Sequence, residues 1–436
     1  MFIETDELYS IFLESYNSNS KFIFIPIFRS NSKHSIINDI SFLYFINVDS
    51  KEWYVISKNH MDCLTNYYDT FINNNFNINR DLIVLDKKSI INYFKFNNIN
   101  HNNINLVDIN ILCYLNNVDI IKLKIFNNYK KIINSNDLYP IPSFIKLLNE
   151  VSYDIINNYN KLNYYINSNE FNSYNNNIIN ALSDVELNGI YVDSSFKELI
   201  SYNNLIYQTI NIYHPAGRMS SVTNGFNFFS MQKTTEYAKH IKSRYGSDGK
   251  LLLIDFKAFH LYLISNLINY KFNEYPYNYI AKCILGDKEE LTPDIIKEIK
   301  KVTFKNLYGD VNELRDIDFF KEVIKFKTEV WDYYKCNNSI NTLIYNRKFN
   351  IKNPNMNNVY NNLLQSYEFE TVIDIIIKLN EYLKPYKTKL ILNIYDSFIF
   401  DFNIKDGKNL VYKLIEIIKS ELYDVSVKFS DDFANL

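Results

Sequence analysis

The chain has 436 residues, of which 47% are hydrophobic, enough to form the cores of two or three domains. Its 47 basic and 49 acidic residues give a formal net charge of -2, which argues against a general nucleic-acid-coating protein but allows a local basic groove. The four cysteines are scattered without a C-x-x-C pair, which disfavours zinc and disulfides. An acidic start and the lack of a roughly 20-residue apolar run predict an intracellular protein without a secretion signal or membrane association.

The first part of the chain is rich in short apolar runs. They predict buried strands of an α/β domain at residues 22–28, 40–47, 53–56 and 82–85. This domain, residues 1–145, is predicted to end after Pro140 and Pro142. Residues 146–212 are predicted to form a helical connector, with one helix at about 195–211.

Residues 213–436 are predicted to form a further domain of mixed strands and helices. Its main elements are a strand, a helix, a long helix and a hairpin, at residues 251–255, 293–307, 358–383 and 390–402. The strand ends at Asp255, and the hairpin carries Asp396 near its tip. The second domain therefore has two carboxylates at the ends of buried strands.

Two such carboxylates are either turn-formers, the commoner role, or metal ligands. On neighbouring strands of one sheet they would hold two hard cations about 3.5–4 Å apart, as in in-line phosphoryl transfer. Between them, Lys300, Phe304 and Tyr308 recur every four residues and share one helix face. That face would suit a nucleoside triphosphate, although the commoner arrangement from spacing alone is a helix that buries both rings and extends the lysine to solvent.

Seven short motifs, in order, resemble those of the A-family DNA polymerases, the bacterial polymerase I-like group, over roughly residues 180–402. Each motif is weak alone, and the order carries the resemblance. The matching segments are Val185–Asp193 (E-x-x-G-v-x-x-D), Gly217–Ser221 (T-G-R-L-S-S) with Asn227 after it, Leu253–Phe256 (motif A), Lys300–Gly309 (K-x-x-x-F-x-x-x-Y-G), Thr342–Lys348 (T-L-x-G-R-R-R), Asn361 with Gln365 (N-x-x-x-Q), and Tyr395–Ser397 (H-D-E).

The resemblance implies an α+β right-hand polymerase. Its antiparallel palm sheet would carry helical fingers at about 264–345 and a reduced thumb, preceded by an RNase H-like α/β exonuclease-like domain. The implied activity is template-directed addition of dNMPs to a primer 3′ end, with primer-template DNA and dNTPs as partners. A processivity factor or other replication proteins are further possible partners. The compact, AT-biased chain suggests a viral or phage origin, and hence the host cytoplasm.

The resemblance also implies roles for individual residues. Asp255 and Asp396 are the catalytic residues and would bind two Mg²⁺ ions, with Phe256 as a further metal position. The residues implied in binding the incoming nucleotide or the primer end are Lys300, Phe304, Tyr308, His260 and Arg218. Those implied in binding DNA are Asn361, Gln365, Asn227 and Arg347.

Four departures from the family pattern qualify these roles. His260 stands where the family has a glutamate that helps exclude the ribose 2′-hydroxyl, which leaves sugar discrimination open. Ile296 stands where the family has an arginine, and Ser397 where it has a glutamate. The stretch between Asp193 and Gly217 is too short for a full thumb. We therefore expect low intrinsic processivity or dependence on a partner clamp.

The amino-terminal domain resembles the 3′-5′ exonuclease domain that precedes these polymerases, at residues 39–54 and 106–115. Its first strand carries no acid, and only Asp108 occupies a matching position. Because two-metal hydrolysis needs several acids, we expect no proofreading. The alternative for the whole chain is a catalytically silent relative that binds nucleic acid or a partner protein. Two retained carboxylates, whose mutual repulsion a metal would offset, argue against that alternative.

Overall fold

The structure is a computed structural model that describes residues 1–18, 20–29, 34–58, 67–118, 141–194, 203–214, 216–221, 228–286, 291–419 and 423–436, apart from the side chains of 141–144 and 221. Two compact units share the chain. The first comprises residues 1–190, 197–210 and 222–227, and the second comprises residues 191–196, 211–221 and 228–436. Most helices of the predicted connector therefore fall within the first unit.

The first unit contains a five-stranded mixed sheet in the order β3-β2-β1-β4-β5. The strands are β1 (Phe22–Phe28), β2 (Ile40–Asn47), β3 (Trp53–Ser57), β4 (Arg80–Val84) and β5 (Ile104–Asp108). β1, β2 and β3 pair antiparallel, whereas β4 pairs parallel with both β1 and β5. The central strands are apolar at consecutive positions, because both faces of the sheet are covered.

Seven helices accompany this sheet in the described part of the unit. They are α1 (Asp6–Asn17), α2 (Tyr67–Asn74), α3 (Lys87–Phe96), α4 (Ile109–Leu115), α5 (Ile141–Leu162), α6 (Asn169–Asn172) and α7 (Ile179–Asn188). Phe12 of α1 and Phe71 of α2 pack on Phe45 of β2, with ring centroids 5.4 and 5.6 Å away. Contacts of this kind between aromatic rings stabilise the helices against the sheet.

Short strands follow the first-unit helices: β6 (Ile190–Tyr191), β7 (Leu205–Ile206), β8 (Ile210–Asn211) and β9 (Ser220–Ser221). The helix predicted at 195–211 is wrong for the described residues 203–211, which form a turn and two strands. Asn203 and Asn204 both have positive φ values, 53° and 61°. Two consecutive left-handed residues cannot continue a right-handed helix. Residues 195–202 lie outside the described part of the chain.

The second unit contains a four-stranded antiparallel sheet in the order β13-β14-β10-β15. Its strands are β10 (Gly249–Phe256), β13 (Lys389–Ile394), β14 (Ser397–Asn403) and β15 (Val425–Ser430), and a separate short pair consists of β11 (Ile340–Asn341) and β12 (Lys348–Phe349). The hairpin predicted at 390–402 and the strand predicted at 251–255 are both confirmed.

Six helices complete the described part of the second unit. They are α8 (Phe259–Leu267), α9 (Pro276–Leu285), α10 (Pro293–Tyr308), α11 (Asp318–Asn337), α12 (Met356–Leu383) and α13 (Lys408–Ile418). α10 begins where predicted, because Thr292 accepts a hydrogen bond from the Ile295 amide and Pro293 occupies the first turn. α12 begins with a capping box of Asn355 and Asn358. No described helix is long and apolar enough to cross a bilayer.

Candidate active site

The sheet of the second unit brings Asp255 and Asp396 to the same edge. Asp255 is the next-to-last residue of β10, and its Cα partner on β14 is Ser397. Asp396 lies in the two-residue turn between β13 and β14, and its carbonyl accepts a hydrogen bond of 3.2 Å from the Phe256 amide. The two carboxylates that the sequence places 141 positions apart are thus neighbours across one strand pairing.

The electrostatics of this pair reflect its partial burial. Burial raises the pKa of Asp396 to about 6, and the charges of Asp255 and Glu368 add to the rise. Burial also raises the pKa of Asp255, opposed by a hydrogen bond from the Ser397 hydroxyl and by the charges of two lysines. The charge of Asp255 therefore makes ionisation of Asp396 less favourable, and a bound cation would relieve that repulsion.

The donor set for such a cation is small. Within the described residues, no group of three or more His, Cys, Asp or Glu side chains is arranged to hold a metal ion. Phe256, the third predicted metal position, stacks its ring on Phe259 at 4.2 Å, so only its main chain could face an ion. The carboxylates of Asp255 and Asp396 supply the oxygen ligands that Mg²⁺ prefers, and other ligands would come from water and substrate phosphates.

The backbone beside both carboxylates is strained. Tyr395, directly before Asp396, has φ 55°, and Ala258, three residues after Asp255, has φ 52°. A left-handed conformation costs a residue other than glycine on the order of 1–2 kcal/mol. The Arg218 guanidinium lies 3.8 Å above the Tyr395 ring, a cation–π contact that holds the strained turn in place.

The predicted face of α10 exists and carries the three expected side chains. The rings of Phe304 and Tyr308 lie 6.0 Å apart and nearly parallel. Phe304 is 38% exposed, whereas the hydroxyl end of Tyr308 is enclosed. Lys300 lies 5.2 Å above the Tyr277 ring, and its charge acts on Asp255. The face thus combines a cation, an exposed ring and a phenol near the carboxylate pair.

His260 connects this face to a carboxylate that sequence reasoning missed. Its Nδ1 shares a hydrogen bond with the Tyr308 hydroxyl, and burial raises the pKa of that hydroxyl and keeps it protonated. Its Nε2 lies 3.2 Å from Oε2 of Glu368, which also lies 3.7 Å from Arg218 Nε. Glu368 stands three residues after Gln365 on α12. Residues three apart lie on the same face of a helix, so the sequence could have indicated that Glu368 lies on the same face as Gln365.

The predicted DNA-binding residues differ in their burial and in their contacts. Asn361 donates a 2.9 Å hydrogen bond to the Tyr308 carbonyl and so supports the end of α10. Gln365 is partly buried one turn later on α12. Arg347 is only 1% exposed, 5.1 Å above the Phe349 ring, and its charge acts on Glu370. The prediction that it contacts DNA does not fit this burial. Asn227 lies outside the described residues.

The structure is similar to the POL domain of Pol1 from M. smegmatis, solved in complex with DNA primer-template and dNTP, with a TM-score of 0.75 over 99% of both chains. The chain shares its fold with a DNA polymerase domain. The sequence identity is 12%. No protein-family model matches the sequence, and no curated protein matches it. The likeness is therefore one of fold, which confirms the α+β class.

Proposed function

We propose that the protein is a template-directed DNA polymerase, resembling the A-family, that adds dNMPs to a primer 3′ end. The observation that carries the proposal is the pairing of Asp255 with the Asp396 turn at one edge of the sheet. The shared fold supports it, since the M. smegmatis POL domain was solved with DNA primer-template and dNTP. A pair of partly buried acids with raised pKa values is costly without a cation.

Asp255 and Asp396 are the residues that would hold two Mg²⁺ ions, with the main chain of Phe256 beside them. Bound there, Mg²⁺ would activate the attacking hydroxyl and stabilise the leaving phosphate. Lys300 neutralises the charge of the triphosphate, and the exposed face of Phe304 packs on its sugar and base. Ser397, hydrogen-bonded to Asp255, orients that carboxylate in place of the glutamate that the A-family carries.

We assign the remaining regions on the same basis. Residues 213–436 would form palm and fingers, the latter at about 264–345, and residues 146–212 a connector with a reduced thumb. The five-stranded mixed sheet supports an exonuclease-like domain at 1–145. Asp108, its one matching acid, is enclosed and caps α4, accepting from the amides of Lys87 and Asn110. That environment suits a structural role, and we propose that the domain does not proofread.

Four of the other predicted contacts remain part of the proposal. Arg218 would lie near the primer terminus, and Asn361 and Gln365 near the nascent base pair. Asn227 belongs to the motif that would contact DNA. Without a full thumb, the enzyme would rely on a processivity factor or other replication proteins for long products. Arg347 is better assigned to the packing of the α12 region than to DNA.

Primer extension on a DNA template with Mg²⁺ tests the proposal. Asp255→Asn and Asp396→Asn should each lower incorporation by at least about a thousandfold, because each removes a charge that holds the ions. Asp431→Asn is a matched control, since this exposed acid lies at the far end of the sheet and pairs with Lys250. An RNA template and rNTPs in the same assay define template and sugar choice. If the wild type incorporates neither dNTPs nor rNTPs, the silent binding protein becomes the better description.

A further inference from the structure

The carboxylate of Glu368 is buried in the second unit. The residue is 3% exposed in the middle of α12. Neither of its oxygens accepts a hydrogen bond from any described residue. A buried charge without compensation costs several kcal/mol, so it persists only where neighbouring charges stabilise it.

Two basic side chains from separate segments approach the same oxygen. His260 Nε2, from α8, lies 3.2 Å from Glu368 Oε2, and Arg218 Nε lies 3.7 Å from it. Asp396 is the acid that repels Glu368 through space. Glu368 is thus the carboxylate that His260 and Arg218 share, and its replacement by a neutral residue would remove the common partner of both side chains.

Each basic partner also contacts one aromatic residue of the candidate active site. His260 is hydrogen-bonded to Tyr308 at the end of α10. Arg218 covers Tyr395, the strained residue directly before Asp396. The chain of contacts therefore runs from Glu368 to both sides of the site. One side is the nucleotide-facing helix, and the other is the turn that carries a catalytic carboxylate.

We propose that Glu368 is a positioning residue, which holds His260 and Arg218 and, through them, Tyr308 and Tyr395 around the nucleotide site. This inference rests on the proposed polymerase function. It assigns to α12 an acid that acts on nucleotide binding without contacting the nucleotide. Because Tyr308 shares its helix face with Phe304 and Lys300, displacement of Tyr308 would weaken nucleotide binding more than binding of primer-template.

Glu370 provides a matched control on the same helix. It is as deeply buried as Glu368, but its Oε2 accepts a 2.8 Å hydrogen bond from the Ile344 amide. It therefore stabilises the segment before β12 and contacts neither His260 nor Arg218 in any described interaction. Glu370→Gln measures what the loss of a buried charge on α12 does to folding alone.

The kinetic test separates positioning from folding. Glu368→Gln keeps the shape of the side chain, and we expect KM for dNTP to rise roughly tenfold while Kd for primer-template stays within about twofold. Combined with His260→Gln, it should raise KM by less than the product of the two separate increases, because both variants break the contact between Glu368 and His260. Glu368→Asp, which keeps the charge, should restore part of the lost affinity. A fall in kcat with unchanged KM for dNTP, or the same change in Glu370→Gln, would overturn the proposal.

A second measurement reads the contact without activity. The chain has six histidines, and isotope labelling of the histidine rings gives an NMR signal for each of them. The signal that disappears in His260→Gln is the signal of His260. We expect the His260 signal to shift in Glu368→Gln and to stay in place in Glu370→Gln. An unshifted signal overturns the inference even if the enzyme polymerises DNA. Absence of any incorporation by the wild type, with the signal shifted, overturns the proposed function and leaves the contact established.

Discussion

Replacement of Asp396 by asparagine measures how much the ionised carboxylate pair lowers the folding stability, and it needs no activity assay. Burial, with the charges of Asp255 and Glu368, raises the pKa of Asp396 from 3.8 to about 6. A rise of that size corresponds to roughly 3 kcal/mol that the folded state must supply to ionise the group at neutral pH. After allowance for contact with solvent, we expect Asp396→Asn to be more stable than the wild type by about 2 kcal/mol at neutral pH without divalent cations.

The pH dependence has a defined sign. A raised carboxyl pKa means that the folded state keeps its proton at a pH where the unfolded chain has lost it. Stability of the wild type therefore falls as pH rises from about 4 to about 6, and the cost is fully present above that range. The advantage of Asp396→Asn should accordingly be largest at neutral pH and small near pH 4.

Thermal unfolding in EDTA and in Mg²⁺ provides the assay. For a unit of this size, about 2 kcal/mol corresponds to a rise in Tm of roughly 4–8 °C for the variant. Mg²⁺ should raise the Tm of the wild type, because a ligand of the folded state stabilises it, and should have little effect on the variant. Two results would contradict this expectation: lower stability of Asp396→Asn than of the wild type in EDTA at neutral pH, or equal stabilisation of both proteins by Mg²⁺.

Two further substitutions probe the opposite end of the same sheet, one on β14 and one on β10. Asp401→Asn should lower stability by about 3 kcal/mol, in contrast to Asp396→Asn, because Asp401 is fully buried and bonded to Arg244 at 2.6 Å and to the Ser243 hydroxyl; a denaturant titration that shows no loss would contradict this. Gly249→Ala should cost about 1–3 kcal/mol, because the added Cβ would lie 1.9 Å from Ser243 Oγ. The two variants disturb the same serine, so the double variant should lose less than their sum.

Features of this protein that depend on a few neighbouring residues could be predicted from its sequence. Asp255 and Asp396 could be placed at strand ends because apolar runs and a tight turn define both positions within a few residues. The face of α10 followed from helical periodicity alone. The helix predicted at about 195–211 was wrong over the described residues 203–211, because Asn203 and Asn204 adopt left-handed conformations that a helical pattern does not reveal.

Features that depend on contacts between residues far apart in the sequence were not predicted. Arg347 matches a motif with basic residues, yet it is buried beside Phe349 and Glu370, and no property of its neighbours in sequence indicates that burial. Glu368 has no motif of its own. Its environment arises only when α12 packs near His260 and Arg218, which lie 108 and 150 positions before it in the sequence. Burial of a charge is a property of the fold, and it has to be read from the structure.

His260 illustrates why a comparison of sequence positions alone misrepresents the site. Compared by position with the A-family pattern, residue 260 is a histidine where that pattern has a glutamate. In the structure, His260 contacts Tyr308 with one nitrogen and faces the carboxylate of Glu368 with the other. The acid is therefore present, but it comes from α12 and acts through an imidazole. Because the hydrogen-bond partner of one imidazole nitrogen fixes the orientation of the ring, Glu368 would orient His260 against Tyr308 in the proposed nucleotide site.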